Sequence, residues 1–274
     1  MFDDFVGQQK IKTELTAIVK SLTHNNNGSV NILIRGPAGS GKTLLSFMFL
    51  IAICGDEFSK QVPSKNSNNF IFEKGLDNLR CHFVDEVHVI KDFTTMYPLM
   101  DCGKYIFIFA TNEYGELPDA FLSRCVIFNM EKYSDDEIVK LIIKHAKSEK
   151  FILTIESAKV IASVSRGSPR TAKLIFKRLR FLIDSDYCKN NEKSIIASLK
   201  NIGIYKGGYT DVDIRYLQTL SKLRTASLLT LSRNLGVDKN TLSNEIEPFL
   251  LSKGHILLTR SGRQFVSFSE ENNG

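Results

Sequence analysis

The 274-residue sequence has no closely paired cysteines: five stand apart at positions 54, 81, 102, 125 and 188. Without a C-x-x-C spacing, a zinc knuckle or a thioredoxin-like redox motif is excluded. An odd number of cysteines scattered through apolar stretches reads as reduced thiols in a reducing compartment. Long apolar runs are also missing. The run FMFLIAIC at 47–54 falls far short of the roughly 20 residues that cross a bilayer. The opening MFDDFVGQ lacks the basic and apolar regions of a signal peptide, so a cytoplasmic location is expected. No single sign of charge dominates. Thirty-six basic and 30 acidic residues leave a formal charge of +6 and a pI near 9.0, which permits a polyanionic partner without requiring one. The histidines have no ligand spacing: His24, His145 and His255 are isolated, and His82 and His88 merely flank an acidic pair. Neither a zinc site nor a Ser–His–acid arrangement is legible.

The remaining composition, 43% hydrophobic and 24% charged, fits a soluble globular chain of two domains or three small ones. Apolar residues at Ile11, Leu15, Ile18, Val19 and Leu22 form a helical stripe. VNILIR at 30–35 reads as a buried strand, GPAGSGKT follows, and 44–54 reads as a helix. Strand, glycine-rich loop and helix begin a parallel α/β unit. Further along, 56–69 reads as a loop, and strands are expected at 70–72, 80–84, 105–110 and 125–128. Short helices are expected at 93–100 and after Pro118, giving a parallel sheet with crossovers on both faces.

Charge shifts near residue 132. Residues 1–131 carry 12 basic and 15 acidic residues, a net of −3, whereas 132–190 carry 13 and 7, a net of +6. The second segment reads as helices at 134–147, 154–165 and 169–183, with a short one after Asn191. Ser134 and Glu137 make a capping-box pattern, and Pro169 suits a first helical turn. Gly207 and Gly208 suggest a linker. Helical patterns at 211–221, 225–235 and 239–252, then strands at 255–259 and 264–268 around a turn with Gly262, compose a winged helix-turn-helix. Asp238 or Lys239 precedes the would-be recognition helix, and Arg260 and Arg263 at the hairpin are the one concentrated positive feature there. They are the candidate DNA contacts; the alternative is a domain-packing module.

The chemistry is carried first by Gly36, Pro37, Ala38, Gly39, Ser40, Gly41, Lys42 and Thr43, a full G-x-x-x-x-G-K-[ST] match. Glycines let backbone N–H groups curl around phosphate oxygens, and the following helix, which starts with Leu44 after the motif, presents its N-terminal dipole to the same anion. Lys42 can reach the β- and γ-phosphates, and Thr43 can ligate Mg²⁺. Next, the strand HFV ends in Asp85 and Glu86. Asp85 suits the Mg²⁺ hydration shell, and Glu86 suits polarising the attacking water. Thr111 and Asn112 end the YIFIFA strand, where a polar group can touch that water or the γ-phosphate or can simply form a turn. Arg124 and Arg170 are either solvent-facing or cations set against developing phosphate charge. Lys173, Lys177, Arg178 and Arg180 read mainly as a solvated helix face.

In this order the residues resemble the AAA+ ATPases, and more closely the RuvB family of bacterial Holliday-junction branch-migration ATPases, over about residues 2–268. FDDFVGQQKIKTEL resembles that family's opening. Residues 36–43 match its Walker A, 82–86 its Walker B with a DExH-like continuation to His88, and Thr111 with Asn112 its sensor 1. LPDAFLSRC resembles the segment bearing the trans-acting arginine finger, which implies Arg124. SRGSPRTAKLIFKRLR is similar to the sensor 2 helix, which implies Arg170, and IEPFLLSKGHILLTRSGR resembles the terminal wing.

The resemblance implies an α/β P-loop AAA+ domain with a parallel sheet at 1–131, a helical lid at 132–208 and a winged-helix domain at 209–270. It also implies ATP with Mg²⁺ bound between subunits of a homo-oligomeric, hexameric ring that moves duplex or four-way-junction DNA with an accessory junction-binding protein. Two departures are visible. Only 24 residues separate Glu86 from Thr111, too few for the β-hairpin that docks the accessory protein. The chain also starts almost at FDDFVGQ, without the extension that helps enclose adenine. A loader or remodeller of the clamp-loader or replication-initiator kind, and a nucleotide-regulated scaffold, are the competing functions. Glu86 and Arg124 weigh against the scaffold.

Overall fold

The computed structural model describes residues 1–24, 28–55 and 81–268. The expected loop at 56–69 and strand at 70–72 lie outside these. The chain forms two compact units: Met1–Glu137 with Ser168–Arg170, and Ile138–Gly167 with Thr171–Gly274.

In the first unit, α1 (Gln9–His24) precedes β1 (Val30–Arg35), and α2 (Lys42–Cys54) follows it. Then come β2 (Cys81–Val84), α3 (Tyr97–Asp101), β3 (Ile106–Thr111), α4 (Asp119–Leu122) and β4 (Val126–Asn129). Ile11, Leu15, Val19 and Leu22 are the buried stripe of α1, as their spacing requires. The four described strands are all parallel in the order β2-β3-β1-β4. Ile32, Leu33 and Ile34 are all fully buried, as are residues 106–111 of β3. Such unbroken burial is what a parallel sheet covered on both faces demands. The alternation of the pleat sorts the two coverings. Leu33, Val84, Phe107 and Phe109 pack with Phe93, Met96, Met100 and Phe121 from the α3–α4 side. Phe83 points the other way and meets Phe47 of α2 at 5.1 Å between ring centroids. Crossovers on both faces are therefore present. Between β2 and β3 the chain makes only a 3₁₀ turn at Val87–Val89 and α3, with no β-hairpin.

The second unit holds most of α5 (Asp135–Ser148), α6 (Ile155–Val164), most of α7 (Pro169–Asp184) and α8 (Glu192–Asn201). The expected capping box forms: Ser134 N donates to Glu137 Oε2 at 2.9 Å, and Glu137 N donates to Ser134 Oγ at 3.3 Å. Lys173, Lys177 and Arg178 are exposed on α7, as a solvated face requires, while Arg180 is only half-exposed and pairs with Glu149 and Asp184.

The paired glycines differ from the linker expectation. They lie in a 3₁₀ turn, Lys206–Gly208, with Gly208 buried. A Cβ on Gly208 would stand 2.8 Å from the Val164 carbonyl, so close backbone packing explains the residue. Arg166 fastens the same segment by donating to Gly208 O at 2.9 Å and pairing with the fully buried Asp213.

Helix α9 (Asp211–Leu223), β5 (Thr225–Ala226), α10 (Leu228–Leu235), β6 (Ile256–Thr259) and β7 (Gly262–Phe265) form a winged helix around a core that includes Tyr216, Leu231, Leu242 and Leu250. Between α10 and β6 runs one helical stretch: α11 (Lys239–Thr241), a π-helical turn (Leu242–Ile246) and α12 (Glu247–Ser252). Asp238 caps it by accepting from Thr241 N. The helix expected over 225–235 starts only at Leu228. Residues 225 and 226 instead pair antiparallel with Gln264 and Arg263, adding a third strand. The same pairing relocates Gly262. It belongs to β7 rather than the turn, with φ +130° and a would-be Cβ 2.5 Å from Ala226 O.

Arg263, one of the candidate DNA contacts, is engaged within its own domain. Its Nε and one terminal nitrogen donate to Glu247 Oε1 and Oε2 at 2.8 and 3.1 Å, and Tyr216 Oη donates to the same Oε1 at 2.8 Å. Glu247 is only 2% exposed, so its carboxylate needs that guanidinium. Arg260 remains exposed at the hairpin turn. Arg263→Ala strands a buried charge and should lower stability by about 3 kcal/mol, read as an earlier midpoint in urea unfolding. Arg260→Ala should leave the midpoint in place.

Candidate nucleotide-binding site

The parallel register brings three chain segments to one edge of the sheet. Arg35 and Thr111 are register partners at the ends of β1 and β3, and Val84 of β2 lies opposite Phe109. The residues that follow each strand therefore emerge side by side, at the carboxyl edge where open α/β sheets bind ligands.

From β1, residues 36–43 curl into α2. Gly36 N donates to Thr111 O at 3.3 Å, which anchors the loop on the neighbouring strand. Gly39 has φ +75°, and a Cβ there would sit 2.5 Å from Arg170 Cβ. Gly41, the residue before α2, has φ +96°, with the Phe5 ring 3.2 Å from its would-be Cβ. Ser40 is buried, and its carbonyl accepts from Tyr133 Oη at 2.8 Å. Burial raises the Tyr133 phenol's pKa, which keeps it a donor. Pro37 and Ala38 complete the loop, and Leu44 is exposed on α2. Lys42, only 6% exposed, donates to Gly36 O and Pro37 O at 3.0 and 3.1 Å. Burial pulls its pKa down, while Glu86 and Asp85 oppose that pull and Arg170 adds to it. Lys42 and Arg170 thus share one electrostatic environment at the loop.

From β2, Asp85 Oδ2 accepts from Thr43 Oγ1 at 2.8 Å. A hydroxyl and a carboxylate in contact form the oxygen-rich corner that suits a hard divalent cation. Glu86 follows with φ 49°, a conformation a non-glycine residue seldom takes, and its N–H donates to Asp85 Oδ1 at 3.0 Å. Its Oε2 is buried and accepts no hydrogen bond, with His88 Nδ1 3.4 Å away.

From β3, Thr111 is fully buried, and its Oγ1 lies 3.0 Å from that same His88 nitrogen. Asn112 is exposed. His88 Nε2 lies 3.9 Å from Glu113 Oε1. His88, the last residue of the DExH-like pattern, therefore joins the ends of β2 and β3. Its position two residues after Glu86 was the available signal.

Arg124 lies elsewhere. Asn31, near the start of β1, donates to the carbonyls of Met100 and Arg124 at 3.2 and 3.1 Å. Asn31 precedes Arg35 by four residues, about 13 Å of strand. The Arg124 guanidinium meets Asp101 at 3.0 Å and stacks over Tyr97 at 4.7 Å. Thus Lys42, Thr43, Asp85, Glu86, Thr111 and Arg170 converge, and Arg124 sits at the opposite end of the sheet.

A phosphate-binding loop, paired acids on the adjacent strand and a C-terminal winged helix define a P-loop ATPase of the AAA+ class. Family profiles described as the Holliday junction DNA helicase RuvB P-loop domain and the RuvB C-terminal winged helix domain match residues 1–109 and 206–267. The Holliday junction branch migration complex subunit RuvB of Mycoplasma genitalium is 30% identical, over 98% of this chain and 95% of that protein. The chain belongs to the RuvB family. Among solved structures, the Thermotoga maritima RuvB Holliday junction branch migration motor superposes with a TM-score of 0.78 at 23% identity, covering 98% of this chain and 94% of that one. Domain III of the replication initiation protein DnaA from the same organism reaches 0.55 at 18% identity over 73% of this chain and 95% of its own, a likeness of fold alone.

Gly39→Ala forces a strained φ and a collision with Arg170. Nucleotide affinity measured by calorimetry should fall at least about tenfold. Gly115→Ala, where a Cβ meets nothing within 4 Å, should leave affinity unchanged.

Proposed function

We propose that this chain is an ATP-hydrolysing motor that drives branch migration of Holliday junctions. The observation that carries the reading is the contact of Thr43 with Asp85 beside Glu86, in a chain matched along 98% of its length by a branch-migration subunit. Lys42 and Arg170 neutralise the nucleotide phosphates. Thr43 and Asp85 fit a Mg²⁺ ion, which supplies Lewis-acid charge at the phosphates when bound. Glu86, its side chain half-exposed and one carboxylate oxygen beside His88, is placed to orient the attacking water and take its proton. Thr111 steadies that carboxylate through His88, and exposed Asn112 is available to the γ-phosphate.

Residues 1–131 form the nucleotide domain, 132–208 the lid and 209–270 the winged helix. Among the described residues no helix is long and apolar enough to cross a membrane. DNA is held through phosphate contacts, Arg260 among them, so stimulation weakens with salt. Arg124, at the far end of β1 from its own loop, serves a neighbouring subunit of a homo-oligomeric, hexameric ring. The direct passage from β2 to α3 leaves no hairpin for the usual docking of an accessory protein.

The test is ATP turnover with no DNA, single strand, linear duplex and a four-way junction. Duplex and junction should stimulate turnover, the junction most. Glu86→Gln should bind ATP yet lose about 100-fold or more in turnover. No stimulation by any DNA at low salt would overturn the motor reading.

Shared sites make a separate prediction. Arg124→Ala should bind ATP and hydrolyse it poorly. Mixing it with Glu86→Gln should restore part of the turnover, because some interfaces then unite an intact Glu86 with an intact Arg124. Additive, unrestored rates would show that Arg124 acts within its own subunit or not at all.

A further inference from the structure

Helix α2 and strand β2 touch at three levels. At the carboxyl edge Thr43 donates to Asp85 at 2.8 Å. In the middle Phe47 packs on Phe83. At the far end Cys54, the last residue of α2, faces Cys81, the first of β2, with Sγ atoms 2.9 Å apart. Cys54 lies eleven positions after Thr43 along the helix and Cys81 four positions before Asp85 along the strand, rises of about 16 and 13 Å respectively. Helix and strand thus run side by side, and the two sulfurs meet because the whole α2–β2 packing places them there. Both residues are half-buried, which leaves them within reach of a small reagent. Closing the distance to the roughly 2.05 Å of a bond needs a shift of under about 1 Å, within the freedom of two side-chain rotations at element ends.

We propose that Cys54 and Cys81 form a covalent modification site that takes a low-molecular-weight disulfide of the glutathione type. One thiolate attacks a sulfur of the reagent and expels one reagent thiolate. The second cysteine thiolate then attacks the protein sulfur of that mixed disulfide and expels the other. The S–S bond between Cys54 and Cys81 forms as the reagent's S–S bond breaks. The two cysteines lose two electrons and two protons, and the reagent leaves as two thiols. The result is a staple across the base of the α2–β2 unit, opposite the Thr43–Asp85 contact. This inference does not depend on the nucleotide chemistry.

The experiment uses the folded full-length chain and oxidised glutathione, followed by non-reducing proteolysis and mass spectrometry. The expected product is a cross-linked peptide pair containing Cys54 and Cys81, lighter by two hydrogens than the separate peptides, with no glutathione on either. Cys102 is exposed and should carry glutathione, which proves that exchange proceeded. The oxidised protein should also melt about 5 °C higher than the reduced one, and Cys54→Ser should abolish that increment. Cys102 modified while Cys54 and Cys81 stay as thiols, or while each carries its own glutathione, would overturn the proposal.

Discussion

The parallel pairing of β1 with β3 and of β3 with β2 is the constraint on which the site depends. Register fixes which residues stand level at the strand ends, and a slip of one residue would turn every side chain to the opposite face. With Arg35 opposite Thr111 and Val84 opposite Phe109, the phosphate loop, the acids and the buried threonine share one edge. The Thr43–Asp85 hydrogen bond is a consequence of that register. So is the bond from Gly36 N to Thr111 O. Apolar packing from both faces holds the register, so the polar site rests on Leu33, Phe107, Phe109 and Val84 beneath it.

The loop and the acids were legible in the sequence because each chemical demand forces a residue type at a fixed spacing. Gly39 and Gly41 need positive φ, and only Lys42 and Thr43 supply a cation and a hydroxyl at the start of the helix. The central strands β1 and β3 were legible because burial on both faces leaves unbroken apolar runs. His88 was legible only by its place in the DExH-like continuation after Glu86. Its partners, Thr111 and Glu86, are joined to it by the fold, and nothing in the spacing of histidines along the chain marks that meeting. The short strand β5 escaped as well. Two residues, Thr225 and Ala226, carry no period, and their pairing with β7 is decided by tertiary contact alone.

Cations in this chain divide by what lies beneath them. Arg263 looked available because it sits next to a turn, yet Glu247 is buried under it and the pair closes the wing onto α12. Arg166 is consumed in the same way by Asp213 and the Gly208 carbonyl. Arg260 is exposed at the turn, and among the described residues no buried acid pairs with it. A positive residue count near a hairpin therefore overstates the charge offered to a polyanion, and the distinction turns on burial of the partner carboxylate rather than on position along the strand.

The same reasoning separates Arg124 from Lys42 and Arg170. Lys42 and Arg170 lie in one environment at the loop, close enough for their charges to oppose each other. Arg124 is held at the other end of β1, its carbonyl bonded to Asn31 and its guanidinium engaged by Asp101 and Tyr97. The carboxylate of Asp101 is half-exposed, so this ion pair is a weak hold that an anion of higher charge can displace. Under the proposed function, the phosphate loop at one end of the sheet and Arg124 at the other, held there by Asp101 and the Ala120 carbonyl, are the two halves of a site that a second copy would bring together.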